Sequence, residues 1–318
     1  MTTTTARGAA LARKATGPGT GNAAPRRRRR PRSDLRVALF FIAPALLGFV
    51  AFYLVPSIRG VYLSFTEYSV LGDPTWIGTK NYTAIFADDL FWNAMAVTVQ
   101  YVALNIGFQT AIALGLALLM HNVAKSTLIR GALLLPFLVA NVIVALLWFW
   151  MLDYQLGIVN EVINWLGLPR IAFFGSEQWA IPTIAGVNVW RHMGYTALLI
   201  FAGLQAIPGH VYEVAKLDGA SPFQTFSKIT IPLLRPVLVL VLVVTVIGSF
   251  QVFDTVAVTT GGGPVNATRV IQYYIYQRAF TESDFGYGSA IAVILFLILA
   301  LVAFIQMKFL KGNESDLD

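Results

Sequence analysis

Six apolar stretches, each with few charged residues, constrain this 318-residue chain more than any other feature. A bilayer core of about 30 Å needs roughly 20 consecutive apolar residues in a helix. Stretches that meet this requirement cover residues 37–58, 94–120, 130–152, 181–204, 236–253 and 288–307. The sequence therefore predicts an all-α membrane protein with a six-helix transmembrane domain over residues 37–310.

The composition excludes several classes of protein. Hydrophobic residues make up 57% of the chain and charged residues 12%, with a mean hydropathy of +0.67. Soluble domains carry about 25% charged residues, so neither a soluble enzyme nor a disordered protein fits. The chain has no cysteine, its three histidines lack metal-ligand spacing, and no phosphate-binding P-loop motif occurs. We therefore expect no catalytic residues, no metal and no cofactor.

The positive charge is concentrated in the first 36 residues, which hold ten of the 23 Lys and Arg residues against one acidic residue, Asp34. This composition predicts a disordered cytoplasmic tail over 1–36 that contacts anionic lipid headgroups, rather than a nucleic-acid arm or a cleaved signal. With the tail inside, 17 of the 23 basic residues fall on the cytoplasmic side, as the positive-inside rule requires. Both termini, including a second tail over 311–318, are then cytoplasmic in a bacterial cell membrane.

The cytoplasmic loop over residues 205–235 is unusually apolar for a segment outside the membrane. Ser221 and Gln224 form a capping-box pattern, and Gly219 supplies a bend, so the loop predicts two short helices. Apolar residues recur at helical spacing on both helices, at Val211, Val214 and Ala215, then at Phe223, Phe226 and Ile229. Such a face docks either onto a partner or back onto its own helix bundle. Two lysines between Glu213 and Thr230 are too few for a DNA-binding helix-turn-helix, so we expect no nucleic acid.

The segment EVAKLDGASPFQTFSKITIPLLRP, residues 213–236, resembles the EAA loop of ABC-importer permeases, above all those for carbohydrates such as maltose and glycerol 3-phosphate. Val214 departs mildly from the alanine of the family pattern. Further stretches extend the resemblance over most of the chain after residue 37. These stretches are Trp76–Tyr82, Thr260–Pro264, Ala279–Phe280 and Asp284–Ala290.

The resemblance implies the type I importer permease fold, with a cytoplasmic coupling helix seated in a groove of an ATPase subunit. It also implies the partners: a second homologous permease, two copies of a cytosolic ATPase, an extracytoplasmic binding protein and a sugar substrate. Glu213 would make the charged contact with the ATPase subunit, and Gly219 would form the bend of the loop. The implied coupling residues are Glu213, Val214, Ala215, Asp218, Gly219, Ala220, Phe223 and Phe226.

Polar side chains inside the apolar stretches are candidates for a substrate pathway, because they are costly at membrane depth. Asn188, His192 and Tyr195 share one helix face, where amide, imidazole and phenol groups suit a polyhydroxylated ligand. The candidate pathway residues are Phe137, Asn141, Asn188, Arg191, His192, Tyr195, Ser249 and Gln251. The alternative for such residues is hydrogen bonding between helices, which we favour for Asn105 and Gln109.

Arg191 has two possible roles. It either lies along the pathway or pairs with Asp254 or with an acidic group of a partner. Alternatives also remain for the whole chain: an importer permease for a non-sugar solute such as glycerol phosphate, or an ion-coupled secondary transporter. The latter would need carboxylates inside the spans, and Asp254 is the only candidate, at the edge of one.

Overall fold

The structure is a computed structural model that describes residues 32–69, 72–122 and 127–309. Residues 1–31 of the predicted basic tail and the whole tail over 311–318 lie outside the described residues. The first helix begins at Arg32, so the last five residues of the predicted tail are already helical. The described residues up to Val55 form a compact unit of their own, and the chain from Pro56 onward forms a second unit.

The described part of the chain is mostly helical. Its α-helices are α1 (Arg32–Phe49), α2 (Val55–Leu63), α3 (Lys80–Phe86), α4 (Asp89–Asn122), α5 (Thr127–Leu138), α6 (Asn141–Met151), α7 (Ile158–Trp165), α8 (Glu177–Ala206), α9 (Gly209–Leu217), α10 (Pro222–Thr225), α11 (Ile231–Phe250), α12 (Asp254–Thr259), α13 (Ile271–Tyr276) and α14 (Phe285–Phe309). Three π-helical segments cover Val50–Leu54, Phe226–Thr230 and Gln277–Thr281. Strands β1 (Thr66–Glu67) and β2 (Thr75–Trp76) pair antiparallel.

Four helical stretches within the described residues are long and apolar enough to cross a membrane: Val37–Leu63, Asp89–His121, Pro222–Thr259 and Phe285–Lys308. Two bent pairs also qualify, α5 with α6 at 91° and α8 with α9 at 70°. If each pair counts as one span, the total is six, the predicted number. The span predicted over 130–152 is broken into α5 and α6, because the backbone is extended at Ala140, with φ −58° and ψ 138°.

The core of the second unit lies along the contact between α4 and α8. At one end, Tyr101 of α4 and Ile184 of α8 are buried with residues of α13 and α14. At the other end, Ala117 and Ile200 of the same two helices are buried with Leu234 of α11. The two long helices therefore form the frame against which the shorter elements pack.

Helix α5 approaches α8 closely at Gly194. A Cβ atom placed on Gly194 would lie 1.8 Å from the carbonyl oxygen of Leu133 in α5, whereas one on Gly186 of the same helix would have no neighbour within 4 Å. Two backbones can approach this closely in a membrane protein only where the side chain is very small. Gly194 therefore sets the position of α5 against α8.

Asp88, which directly precedes α4, connects α13 and the first turn of α14 to the start of α4. Its carboxylate accepts hydrogen bonds from the hydroxyls of Tyr274 and of Tyr287, the latter at 2.6 Å. Partial burial by itself would raise the pKa of Asp88. The hydrogen bonds from the two tyrosines and from backbone N–H groups outweigh burial, and they hold this pKa below its usual range.

Replacing Gly194 by alanine tests the close helix contact. We expect Gly194→Ala to reduce the free energy of unfolding by about 1–3 kcal/mol, because the added methyl group forces α5 away from α8. Gly186→Ala is the matched control and should leave stability unchanged or slightly raised. Thermal unfolding in detergent measures both effects, and equal midpoints for the two variants would contradict the close approach.

Replacing Asp88 by asparagine tests the tyrosine–carboxylate cluster. Because folding lowers the pKa of Asp88, its stabilising contribution is present above the unfolded pKa and is lost as pH falls through the folded pKa. We expect Asp88→Asn to lower the unfolding midpoint at pH 7, and the difference from wild type to shrink below about pH 4. The neighbouring Asp89→Asn is the control, and a similar pH-dependent loss there would count against the cluster.

Candidate functional site

A cavity of about 380 Å³ lies among α4, α8, α11 and the break between α5 and α6. Seven of the eight candidate pathway residues line it, and Arg191 lies outside the lining. The seven are Phe137, Asn141, Asn188, His192, Tyr195, Ser249 and Gln251. The structure thus brings together residues that are more than 100 positions apart in the chain.

The α8 wall of the cavity carries the predicted amide, imidazole and phenol groups. Asn188 is 5% exposed, and its Nδ2 atom donates to Ile184 O at 3.1 Å and to Thr255 Oγ1 at 3.2 Å. His192 Nδ1 lies 2.9 Å from Asn188 O, and Arg191 Nη1 lies 2.8 Å from His192 Nε2. A neutral imidazole with its proton on Nδ1 satisfies both contacts. Intramolecular bonds therefore fix the orientation of this wall.

An aromatic stack forms the next part of the lining. The rings of Phe137 and Tyr195 are nearly parallel, with an interplanar angle of 9° and centroids 4.4 Å apart. His192 meets the Phe137 ring edge-on at 5.7 Å. The close approach at Gly194 brings α5 near enough to α8 for this stack to form. Flat aromatic faces of this kind suit the C–H surfaces of a sugar ring.

Two amides of α4 bind the helices around the cavity to one another. Asn105 Nδ2 donates to Ser249 Oγ of α11 at 2.8 Å and to Gln109 Oε1 at 3.1 Å. Gln109 Nε2 donates to Thr196 Oγ1 of α8 at 2.8 Å. These contacts agree with the expected role of Asn105 and Gln109 in bonding between helices. Both residues also line the cavity, which the sequence analysis did not anticipate.

The predicted pathway residues include none from α4, although the spacing of polar residues in the sequence indicates a lining face on this helix. Tyr101, Asn105 and Gln109 recur every four residues, so they share one face of α4, and all three line the cavity. The Oδ1 atom of Asn105 is buried and has no hydrogen-bond partner among the described residues.

The break between α5 and α6 is held by side chains from outside both helices. Arg191 Nη2 donates to Phe137 O at 3.2 Å and to Val139 O at 3.1 Å. Beyond the break, Asn141 Nδ2 donates to Asp254 Oδ2 at 2.9 Å. Arg191 and Asp254 thus each bond to the broken span. No direct hydrogen bond joins the two in the described part of the chain, although their opposite charges attract each other.

The loop over 205–235 contains the first predicted short helix, α9. The prediction of a second short helix is wrong, because α10 continues through the π-helical segment Phe226–Thr230 into α11 and is the start of the fifth span. Gly219 follows α9 with φ +74°, and Ala220 N donates to Ala215 O at 3.0 Å, which closes the end of the helix. The predicted capping box is present, with Ser221 N bonded to Gln224 Oε1 at 2.8 Å and Gln224 N to Ser221 Oγ at 3.3 Å. The bend is therefore specified by local hydrogen bonds on both of its sides.

The candidate coupling residues divide by exposure. Ala215 is buried within the chain, whereas Glu213, Asp218 and Gly219 are exposed; Ala220 and Phe226 are intermediate. The apolar side chains of Val214 and Phe223 are 54% and 76% exposed, and so is Leu217 at 86%, which the sequence analysis had not selected. Leu217 follows Val214 by three residues on α9, and this spacing was the available signal.

The geometry defines a class of protein: a helical membrane protein with a polar cavity in its transmembrane region and a bent helical loop outside it. No group of His, Asp or Glu side chains that could hold a metal occurs in the described parts of the chain. Residues 107–312 match the family described as the binding-protein-dependent transport system inner membrane component. The chain belongs to this family, and the predicted ABC-importer permease is confirmed.

Named relatives cover nearly the whole chain. The chain is 36% identical over 284 residues to the sulfoquinovosyl glycerol transport system permease protein of Agrobacterium fabrum, which covers 88% of this chain and 92% of that protein. It is 31% identical over 277 residues to the trehalose/maltose transport system permease protein of Thermococcus litoralis. This alignment covers 86% of this chain and 94% of that protein.

A solved structure has the same fold. A chain in the crystal structure of a bacterial alginate ABC transporter, in complex with an alginate pentasaccharide-bound periplasmic protein, aligns with a TM-score of 0.79. The alignment covers 90% of this chain and 99% of that chain at 22% sequence identity. This likeness agrees with the predicted type I importer permease fold.

Replacing Asn105 tests whether its side chain stabilises the contact between helices in addition to lining the cavity. We expect Asn105→Ala to reduce the free energy of unfolding by about 1–2 kcal/mol, because hydrogen bonds to Ser249 and Gln109 are lost at membrane depth. Gln251→Ala is the control, since Gln251 lines the cavity with an exposed side chain. Thermal unfolding should separate the two variants, and equal losses would refute a specific role for Asn105 in bonding.

Proposed function

We propose that the chain is one of two transmembrane subunits of an ABC importer for a neutral sugar, and that it forms half of the translocation pathway. One observation carries the substrate class. The described residues that line the cavity present amides, hydroxyls, an imidazole and aromatic rings, and include no Lys, Arg, Asp or Glu. Amides and hydroxyls both donate and accept hydrogen bonds, as sugar hydroxyls do.

The alternatives fit the cavity less well. Glycerol phosphate is an anion, and anion sites are built from Arg, Lys or helix N-termini. Arg191 is adjacent, but its guanidinium is bonded to two backbone carbonyls and to His192. An ion-coupled secondary transporter is disfavoured by family membership, and the candidate carboxylate of Asp254 is bonded to Asn141. A neutral mono- or oligosaccharide therefore remains the favoured substrate.

We further propose that the loop over 205–235 couples the permease to a cytosolic ATPase. The apolar side chains of Val214, Leu217 and Phe223 are exposed on the same loop as Glu213, and exposed apolar surface of this kind marks a docking site. Thr230 Oγ1 donates to the hydroxyl of Tyr212 at 3.4 Å, so a hydrogen bond joins α9 to the helix that follows the bend, as a loop that acts as a lever requires. Two ATPase copies would dock, one on each permease, with Ala215 supporting the surface from beneath.

The remaining partners follow from the proposal. A second, related permease would complete the pathway, and an extracytoplasmic binding protein would deliver the sugar. The basic tail would keep both termini in the cytoplasm, as the distribution of Lys and Arg favours. ATP hydrolysis would then take place on the ATPase subunits alone, and this chain would provide alternating access by rigid-body movement.

A panel of sugars tests the substrate class. The cognate binding protein should show a thermal shift with one neutral saccharide, and the reconstituted complex should take up the same saccharide with ATP. Glycerol 3-phosphate and a uronic-acid oligosaccharide are the anionic comparisons, and they should be neither bound nor transported. Uptake of either anion in place of every neutral sugar would overturn the proposed substrate class.

Two substitutions test the coupling loop. Glu213→Arg should abolish sugar uptake and sugar-stimulated ATPase activity, because it reverses the charge offered to the ATPase. Gly219→Pro should do the same, because proline fixes φ near −65°, whereas the bend needs +74°. Glu67→Arg, a charge reversal at an exposed site in β1, is the control and should transport normally. Normal uptake by either loop variant, with the chain inserted in the membrane, would refute coupling through this loop.

A further inference from the structure

The break in the third span lies between two side chains of opposite charge. On its α5 side, Arg191 donates to Phe137 O and Val139 O, and its guanidinium carbon lies 5.4 Å from the centroid of the Phe137 ring. On its α6 side, the carboxylate of Asp254 accepts a hydrogen bond from Asn141, the first residue of α6. Each of the two charges thus contacts a different half of the broken span.

The signs of these charges match the ends of the helices that they contact. A helix carries partial negative charge at its C-terminus and partial positive charge at its N-terminus. Arg191 lies at the C-terminus of α5, and Asp254 lies beside the N-terminus of α6. A break at membrane depth also leaves backbone groups without helical partners, which is costly away from water. The guanidinium satisfies two such carbonyls directly.

We propose that Arg191 and Asp254 hold the third span in its broken form, each by neutralising the helix end of opposite partial charge. They thereby position Phe137 and Asn141, which flank the break, in the wall of the cavity. In this account Arg191 is a positioning residue rather than a ligand of the sugar. An ion pair between Arg191 and Asp254 is the rival explanation for two charges in the spans.

A distance measurement across the break tests the proposal. The chain has no cysteine, so nitroxide labels can be attached at Leu128→Cys in α5 and Trp150→Cys in α6, whose native side chains are 84% and 68% exposed. With a rise of about 1.5 Å per residue, these positions are roughly 20 Å apart across a right-angle bend and about 33 Å apart in a straight helix. Pulsed electron resonance on the full-length chain in lipid nanodiscs distinguishes the two distances.

The labelled chain with Arg191 and Asp254 intact should give one narrow distribution at the shorter distance. Arg191→Met and Asp254→Asn should each broaden it toward the longer distance, whereas Arg191→Lys, which keeps the charge, should broaden it less. Arg170→Met is the matched control, because it removes a guanidinium that bonds to Glu161 outside the break. A distribution that stays narrow and short in both Arg191→Met and Asp254→Asn would overturn the proposal.

A charge exchange separates the proposal from the rival ion pair. In the double variant Arg191→Asp with Asp254→Arg, each charge would face a helix end of the same sign. The proposal expects a distribution at least as broad as in either single variant. Restoration of the narrow, short distance by the exchange would show a simple ion pair and would overturn the proposal.

A transport measurement tests the functional consequence, and it is the only test here that rests on the proposed function. Arg191→Met should lower the maximal uptake rate about tenfold, because charged hydrogen bonds are strong, and leave the half-saturating concentration of loaded binding protein unchanged. If the unmodified complex imports no sugar, the proposed function fails, while the distance measurement still decides the role of Arg191. An unchanged maximal rate together with a broadened distance would refute the link between the break and transport.

Discussion

The rest of the structure depends on the satisfaction of backbone polar groups away from water. Helices meet this requirement internally, and a broken helix meets it only where other groups complete the hydrogen bonds. The third span breaks after Leu138, and the guanidinium of Arg191 supplies the missing donors. The cavity lies at this break, so the larger of the two bends in the described spans, 91°, coincides with the polar surface proposed for a sugar.

A connected set of polar contacts surrounds the cavity and joins it to the helical frame. Asn105 and Gln109 bond α4 to α11 and α8, while Gly194 lets α5 lie against α8. At the other end of α8, the bent loop is fixed by the turn at Gly219 and the capping box at Ser221. Helix α8 therefore connects the cavity wall to the proposed coupling surface, and a rigid connection of this kind can transmit movement from the ATPase to the pathway.

The sequence predicted features that depend on neighbouring residues. The helical spans, the bend at Gly219 and the capping box follow from patterns a few residues long, and the resemblance identified the family. The break between α5 and α6 was not predicted, because its stabilising partner Arg191 lies 52 residues after Val139 in the chain. The burial of Ala215 was also not predictable, because the packing of α9 against the rest of the chain decides it.

Chemical labelling of Asn141 tests the central claim that the cavity at the break is the sugar pathway. In the otherwise cysteine-free chain, Asn141→Cys should react with a water-soluble thiol reagent in the assembled transporter. The transported sugar, supplied with loaded binding protein and ATP, should slow this reaction, while an exposed control, Trp165→Cys, should react at an unchanged rate. A reaction at Asn141→Cys that proceeds equally fast with and without sugar during active uptake would contradict the account.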